Sequence, residues 1–458
     1  MKKTLCLMLS LALILAMSIP VFAEGGTEST PNTELSGTIR MTGPGLFSDV
    51  GPDGTEDLIT GRTKPGYNEL IAEFNKDYPN IKVEINAVPW DNWMSVVQTA
   101  AAGSTADILL HGSMLAECCV DLTPYLEKDP EVLEALAVKP EQFRPDEKNY
   151  NLTAPTGISY TVTPYYALID TQLFEEWGVE VPDASWTYDE MLELARQMTG
   201  TNPVTGLENY GIWYYGNEDG NIWKLFSSVC AAWGVKTMQF DSPNKYEAAI
   251  DFTSEGAVKA FDYINELYKC TPPGYLENIG NDKVGTPEND IAIVLGEGPL
   301  GQYKVTQDYG TEARYAYLPL PVNEVEVEAK SSSFTGTNSI AISKTAAEPD
   351  LAWEFIKWLV LDKEANDWIL ATDNVPATFY GMEQLDESQP YAQCFNDIFN
   401  NFWDNFTVTQ CEAFDTAYGN SLASLSAGLT GMYSGTYTPE TCAQYIQDQI
   451  TEYQNMYK

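Results

Sequence analysis

The chain carries one histidine, His111, among 458 residues, and only 25 Lys and Arg against 66 Asp and Glu, a net charge of −41. A single imidazole excludes most histidine-built metal sites and leaves one candidate for any Ser-His-Asp or Cys-His set. The acidic balance excludes a nucleic-acid partner, because phosphates would be repelled over the whole surface. It also disfavours anionic ligands, although a local basic pocket can oppose the mean field. No C-x-x-C spacing, glycine-rich phosphate loop or dinucleotide fingerprint occurs. Beyond the N-terminal stretch no apolar run approaches ~18 residues, so no membrane span is expected. No cofactor and no metal is expected from these patterns.

The N-terminal stretch reads as an export signal. Lys2-Lys3 is basic, Leu5 to Ile19 is apolar but too short to span a bilayer, and Val21-Phe22-Ala23 is a small-x-small cleavage site. Cys6 lies at the start of the apolar run instead of following it, so no lipid anchor is expected, and the mature chain should be secreted or periplasmic. Removing residues 1–23 takes away Lys2 and Lys3 and leaves a net charge of −43. It also leaves Cys118, Cys119, Cys230, Cys270, Cys394, Cys411 and Cys442. Export permits disulfides, and the odd count leaves at least one thiol unpaired. Cys394 and Cys411 are a candidate pair that spacing alone does not establish.

What is present is apolar mass and rings. Hydrophobic residues make up 44% of the chain, too much and in too long a chain for one ordinary core, so two lobes are expected. The 27 Tyr and 11 Trp either fill those cores or offer flat faces to a ligand such as a sugar. After a polar leader (24–36), a strand is expected over Gly37 to Thr42. A long Gly, Pro and Asp-rich loop then runs to Gly66. A helix follows over Tyr67 to Tyr78, with Leu70, Ile71 and Phe74 on one face. Ile81 to Val88 alternates as a strand. A helix through Ala102, stopped by Gly103, and a strand over Asp107 to Leu110 complete a β-α-β-α-β succession, which predicts a parallel sheet with right-handed crossovers.

The organising stretch is Thr153 to Met198. Tyr165 to Ile169 is β-prone, Gln172 to Trp177 is a short helix, and Gly178 stops it. Thr187 is the expected N-cap of the next helix, with Glu190 as its capping-box partner. The run Tyr166 to Gly178, then Pro182 and Ser185-Trp186-Thr187, resembles a "Y-N-x-x-L-F-x-x-x-G … P-x-T-W" segment. That segment belongs to the extracellular solute-binding proteins of the sugar-binding type that feed ABC importers. Here Asp170 stands where that family usually has Asn. Further resemblances are Phe74 to Val83, Ala100 to Gly103 with Ala106-Asp107-Ile108, Val120 to Leu126, Tyr210-Gly211, and Asn289 to Tyr303. Ala316 to Pro321, Ser339 to Lys344 with Ala352 to Ile356, and Asn374 to Ala377 follow, and Ser434 to Glu440 opens the last helix. Each motif is degenerate alone. Their order covers nearly the whole chain after Gly37.

The resemblance implies an α/β, two-lobed periplasmic-binding-protein fold, each lobe a mostly parallel sheet flanked by helices, with a three-crossing hinge near Pro164, Leu318 and Val375. Lobe 1 would hold 37–164 and 318–373, and lobe 2 would hold 165–317 and 374–458. It implies a carbohydrate ligand, ABC permease partners, a monomer, and binding without covalent chemistry. Ligand candidates are rings and polar groups at strand ends: Trp90, Asp91, His111, Tyr160, Tyr165, Asp170, Trp213, Tyr215, Glu297, Tyr303, Phe334, Thr335, Trp403 and Phe414. His111 also reads as an ordinary surface residue at a strand end. Leu300 stands where relatives often stack a Trp, and Tyr303 is the expected substitute. The acidic runs Asp49 to Asp57 and Asn217 to Asn221 lack calcium-loop spacing and read as solvated turns. Two other readings remain: the same fold with a non-sugar solute such as a polyamine, and a secreted carbohydrate-active enzyme using two carboxylates.

Overall fold

The computed structural model describes residues 31–56, 61–90, 93–111, 115, 118–138, 155–214, 225–226, 228–230, 233, 251–277, 279–322, 335–402 and 424–456. The export signal therefore lies outside the described residues. The strands are β1 (Gly37–Gly43), β2 (Thr55–Glu56), β3 (Thr63–Lys64), β4 (Ile81–Ala87), β5 (Ile108–Leu110) and β6 (Ile158–Asp170). They continue as β7 (Gly200–Thr201), β8 (Glu208–Tyr214), β9 (Ile291–Glu297), β10 (Tyr315–Pro319), β11 (Thr335–Ile342) and β12 (Val375–Pro376). β2 and β3 form a separate hairpin. The other ten strands make one sheet in the order β4-β1-β5-β11-β6-β9-β8-β7, with β10 and β12 also paired to β6.

β6 joins two α/β halves. All but one of its 13 residues are buried, which is why its sequence is nearly continuously apolar or aromatic. It pairs with β11 up to Pro164 and with β9 and β10 from Tyr165 onward. Pro164 has no N–H to donate, so the change of partners falls where the ladder is already interrupted. Its carbonyl still accepts from the Gly298 amide at 3.0 Å. The β-prone segment expected over Tyr165 to Ile169 is the second half of this one long strand, which begins at Ile158.

Alternation along each strand sends side chains to helices on both faces. In the first half Ile39, Met41, Ile108, Leu110 and Ile340 pack against Leu70, Phe74, Trp353, Phe355 and Trp358. On the other face Leu109 and Ala341 meet Val97, Ala100 and Ala101. In the second half Ala167, Ile169, Ile293 and Leu295 face one core, while Tyr166, Leu168 and Val294 face another. The fold is thus two-lobed and α/β, parallel at β1/β4, β1/β5 and β8/β9 and antiparallel where β6 meets its partners. Among the described residues no helix is long and apolar enough to cross a membrane.

Local signals and structure agree at several ends. Thr187 caps the helix Tyr188–Gln197: its Oγ1 accepts from the Glu190 amide at 3.2 Å, and Glu190 Oε2 accepts from the Thr187 amide at 2.8 Å. Gly178 ends the helix Thr171–Trp177 in the left-handed region, at φ 66°. Within the long loop Gly43 to Gly66 the structure adds two elements without a sequence signal, the helix Leu46–Val50 and the β2–β3 hairpin. The helix is too short to show a period and is held by burying Leu46, Phe47 and Val50 in the first core. Cys394 is a buried free thiol on the helix Pro390–Phe402, and Cys411 lies outside the described residues.

Candidate functional site

Strand direction brings one edge of each half to the middle of β6. β1, β4 and β5 run parallel to one another, and β11 runs antiparallel to both β5 and β6, so β6 enters this level in the direction of β5. β8 and β9 approach from the other side, with Glu297 opposite Tyr165 and Thr335 opposite Pro164. The carboxyl ends of β1, β4, β5, β8 and β9 therefore face a shared crevice, the position where open α/β sheets place ligands.

The first half supplies a wall of rings and a carboxylate. Trp90, just after β4, is 45% exposed, and its indole Nε1 donates to Asp49 Oδ1 at 3.2 Å. Asp49 comes from the helix Leu46–Val50 after β1. The His111 ring, just after β5, stands edge-on to both indoles, 5.2 Å from Trp90 and 5.2 Å from Trp93. His111 holds φ 58°, a left-handed turn that swings its side chain between them, and its amide donates to the Ser339 carbonyl at 2.7 Å. Gly45 opens the Leu46–Val50 helix at φ 104°, where a Cβ would lie 2.8 Å from Asn338 Oδ1 and 3.4 Å from Tyr160 Oη. Only glycine lets the chain turn so close to that polar pair.

Asp49 is open to solvent yet recessed among protein atoms. That setting pushes its carboxyl above the ordinary range; the Trp90 and Ser48 hydrogen bonds pull it down, and the Glu297 charge adds to the rise. Glu297 is exposed at the end of β9, so carboxylates from both halves act on one another across the crevice. An exposed indole can cover the C–H face of a pyranose or polyol, and carboxylates can accept its hydroxyls. Among the described residues no group of three or more His, Cys, Asp or Glu is placed to hold a metal ion. An acidic concavity of about 800 Å³ lies apart, lined by residues that include Asp53, Glu69, Glu73 and Glu364. Its lining includes Trp368, a ring only 6% exposed, and among the described residues no exposed ring lines it, so the wall at Trp90 carries the ligand argument.

The structure brings Trp90 and His111 together at this edge, with Glu297 across from them. Tyr160 and Tyr165 are near it in the chain but buried, at 2% and 3% exposure, so they support the wall from within. Trp213 is half-buried on β8. Thr335 starts β11 at the edge. Two residues sit elsewhere. Asp170 is at the far end of β6, 1% exposed, where Oδ2 accepts from Arg314 Nε at 2.7 Å and from Asn289 Nδ2 at 2.7 Å. Its charge is spent in a buried network and as the N-cap of Thr171–Trp177. Tyr303 is also buried: its hydroxyl donates to Gln389 Oε1 at 2.7 Å and its ring packs on Tyr391 at 4.5 Å, so it joins two helices. Asp91, Tyr215, Phe334, Trp403 and Phe414 lie outside the described residues. Sequence reasoning missed Asp49, Trp93 and Asn338. Asp49 was hidden in an acidic run that reads as solvated turns.

The family model for bacterial extracellular solute-binding proteins matches residues 60–366. An ABC transporter solute-binding protein from Agrobacterium radiobacter K84, solved with ribitol, is 16% identical and superposes with a TM-score of 0.70 over 92% of this chain and 100% of that one. Maltose-bound MalE3 of T. maritima is 16% identical, with a TM-score of 0.67 over 91% of this chain and 99% of that one. A solute-binding protein from Agrobacterium vitis S4 with bound D-mannitol is 15% identical, with a TM-score of 0.68 over 92% and 99%. Comparison with curated protein sequences gives no match. Since the family model covers more than half of the chain, this protein belongs to the bacterial extracellular solute-binding protein family.

Proposed function

We propose that the protein captures a carbohydrate or polyol in the crevice and presents it to the permease subunits of an ABC importer, as a monomer and by binding alone. The observation that carries this reading is the exposed Trp90 indole held by Asp49 beside His111, at the carboxyl ends of parallel strands. A ring face with adjacent hydroxyl acceptors matches the two surfaces of a sugar. The fold likeness to proteins solved with ribitol, maltose and mannitol supports the same class.

Residues 37–164 and 318–373 would form one lobe and 165–317 and 374–458 the other, with ligand shifting the population from open to closed. Export through cleavage after Ala23 would leave the chain secreted or periplasmic. The ligand wall comprises Trp90, His111, Glu297 and Asp49, with Trp93 and Asn338 behind them.

A thermal-shift screen of the chain from Glu24 with sugars, sugar alcohols and polyamines tests this. Ligand at ~100 times its dissociation constant stabilises by ~2.7 kcal/mol. A rise with one sugar class, with the sugar recovered unchanged, is expected. Consumption of the sugar would overturn the reading in favour of an enzyme.

One observation favours a second reading. Asp49 bonds the indole and Glu297 acts on Asp49 across the crevice, and two carboxylates beside a ring suit a cationic solute such as a polyamine. Affinity for a cation should weaken steeply with salt, whereas affinity for a neutral sugar should change little.

A further inference from the structure

The β2–β3 hairpin, in the long loop after β1, is tied by charge to two distant parts of the chain. Arg62 Nη1 lies 2.5 Å from Asp373 Oδ2, and Lys64 Nζ lies 2.8 Å from the same oxygen. The guanidinium Nε of Arg62 also pairs with Asp308. Lys304 Nζ approaches the other Asp373 oxygen at 3.1 Å and donates to the Leu370 carbonyl at 2.8 Å. Asp308 and Lys304 belong to the helix Pro299–Tyr309, which follows β9. Asp373 lies just before β12, at the third crossing, with φ 68° and its side chain 4% exposed.

In a chain with 66 acids and 25 bases, three bases converge on one carboxylate. Burial would push the Asp373 carboxyl up, and the bonds from Arg62 and Lys64 overcome this and hold it below the ordinary range. It is therefore a fixed anion at the crossing. Like Lys304–Asp373, the Arg62–Asp308 pair joins segments assigned above to different lobes, and its side chains are 23% and 20% exposed. Opening the crevice about the hinge must stretch this pair while the Asp373 contacts of Arg62 and Lys64 stay in place. Lys64, the last residue of β3, also acts electrostatically on Asp49.

We propose that the β2–β3 hairpin is an electrostatic strap across the hinge, in which Arg62, anchored on Asp373, clasps Asp308 and holds the two lobes in the orientation of this structure. The inference rests on the hinged, two-lobe reading above but needs no particular ligand.

Small-angle scattering of the ligand-free chain tests it, with Asp308→Asn, Arg62→Gln and the double variant. Loss of one partly exposed ion pair changes a population ratio by about two- to fivefold. The scattering profile of Asp308→Asn at low salt should move toward that of the unmodified protein at about 0.5 M NaCl, where such pairs are screened. The double variant should move no further than either single one. Unchanged profiles in the variants, with the salt response retained, would overturn the strap. Arg62→Gln also removes one of three bases from a buried carboxylate and risks misfolding; Asp308→Asn, at the accessible end, then decides the matter. Failure of the carbohydrate reading would appear separately, as a strap that responds in a protein that no sugar stabilises.

Discussion

The indole of Trp90 is hydrogen-bonded to Asp49 at 3.2 Å, and this bond joins the loop after β4 to the short helix after β1. One residue brings a flat apolar face, the other an acceptor, and neither is consumed by the core. Trp90→Ala should remove the ring face and leave the fold intact. The expected loss is about 1–3 kcal/mol of binding, roughly a five- to 150-fold weaker dissociation constant by calorimetry, with little change in melting temperature. Unchanged affinity would remove Trp90 from the ligand wall.

Asp170 should behave in the opposite way. It neutralises Arg314 in a site where both side chains are nearly excluded from water, at 1% and 9% exposure. Asp170→Ala leaves a buried guanidinium without its anion, which costs about 3–5 kcal/mol of stability. Chemical denaturation should show that loss, while the folded fraction should bind ligand as before. A selective loss of affinity at full stability would return Asp170 to the ligand site.

Acid stability should depend on Asp107. Burial would push this carboxyl up, but the Arg40 guanidinium and the amides of Arg40 and Ala347 overcome that and hold it below its ordinary value. A folded value below the unfolded value of about 3.9 means that the stabilisation is complete above pH ~4 and is lost as pH falls through the folded value. Asp107→Asn should therefore be less stable at pH 7, and its stability should fall less steeply below pH 4. Parallel stability curves for the two proteins would contradict this.

The described cysteines make a further prediction. Burial pushes the thiols of Cys230 and Cys394 well up and that of Cys442 to about 12, so thiolate is scarce and access is closed. A thiol reagent such as DTNB should leave these three unmodified in the native protein and label them on unfolding. Rapid labelling of any of them in the folded chain, located by peptide mapping, would show that its core opens locally.

Much of the fold was legible before any coordinates. Leu70 and Phe74 at helical spacing, the alternation of Ile81 to Ala87, the capping box of Thr187 and Glu190, and Gly178 at a helix end are local signals. They survive in the fold because a helix face, a strand face and a cap depend on near neighbours in sequence. The helix Leu46–Val50 and the β2–β3 hairpin were not legible, because both are short and exist through distant contacts, Phe47 in the first core and Arg62 on Asp373.

The site divides along the same line. By itself, the sequence determined the class: an acidic, ring-rich chain with one histidine and a long ordered series of motifs, enough for a two-lobed solute receptor. Trp90, His111 and Glu297 are proposed as ligand residues because strand ends are predictable and α/β crevices form at them. Only the tertiary structure decided which polar residues remain available there. Asp170 and Tyr303 lie next to plausible strand ends in sequence, yet folding turns them toward Arg314 and Gln389, since a buried charge or hydroxyl must find a partner. Asp49 looks like one more solvated acid in the chain. It becomes a recessed carboxylate beside an indole because β1 and β4 are hydrogen-bonded neighbours, a relation that spacing along the chain does not carry.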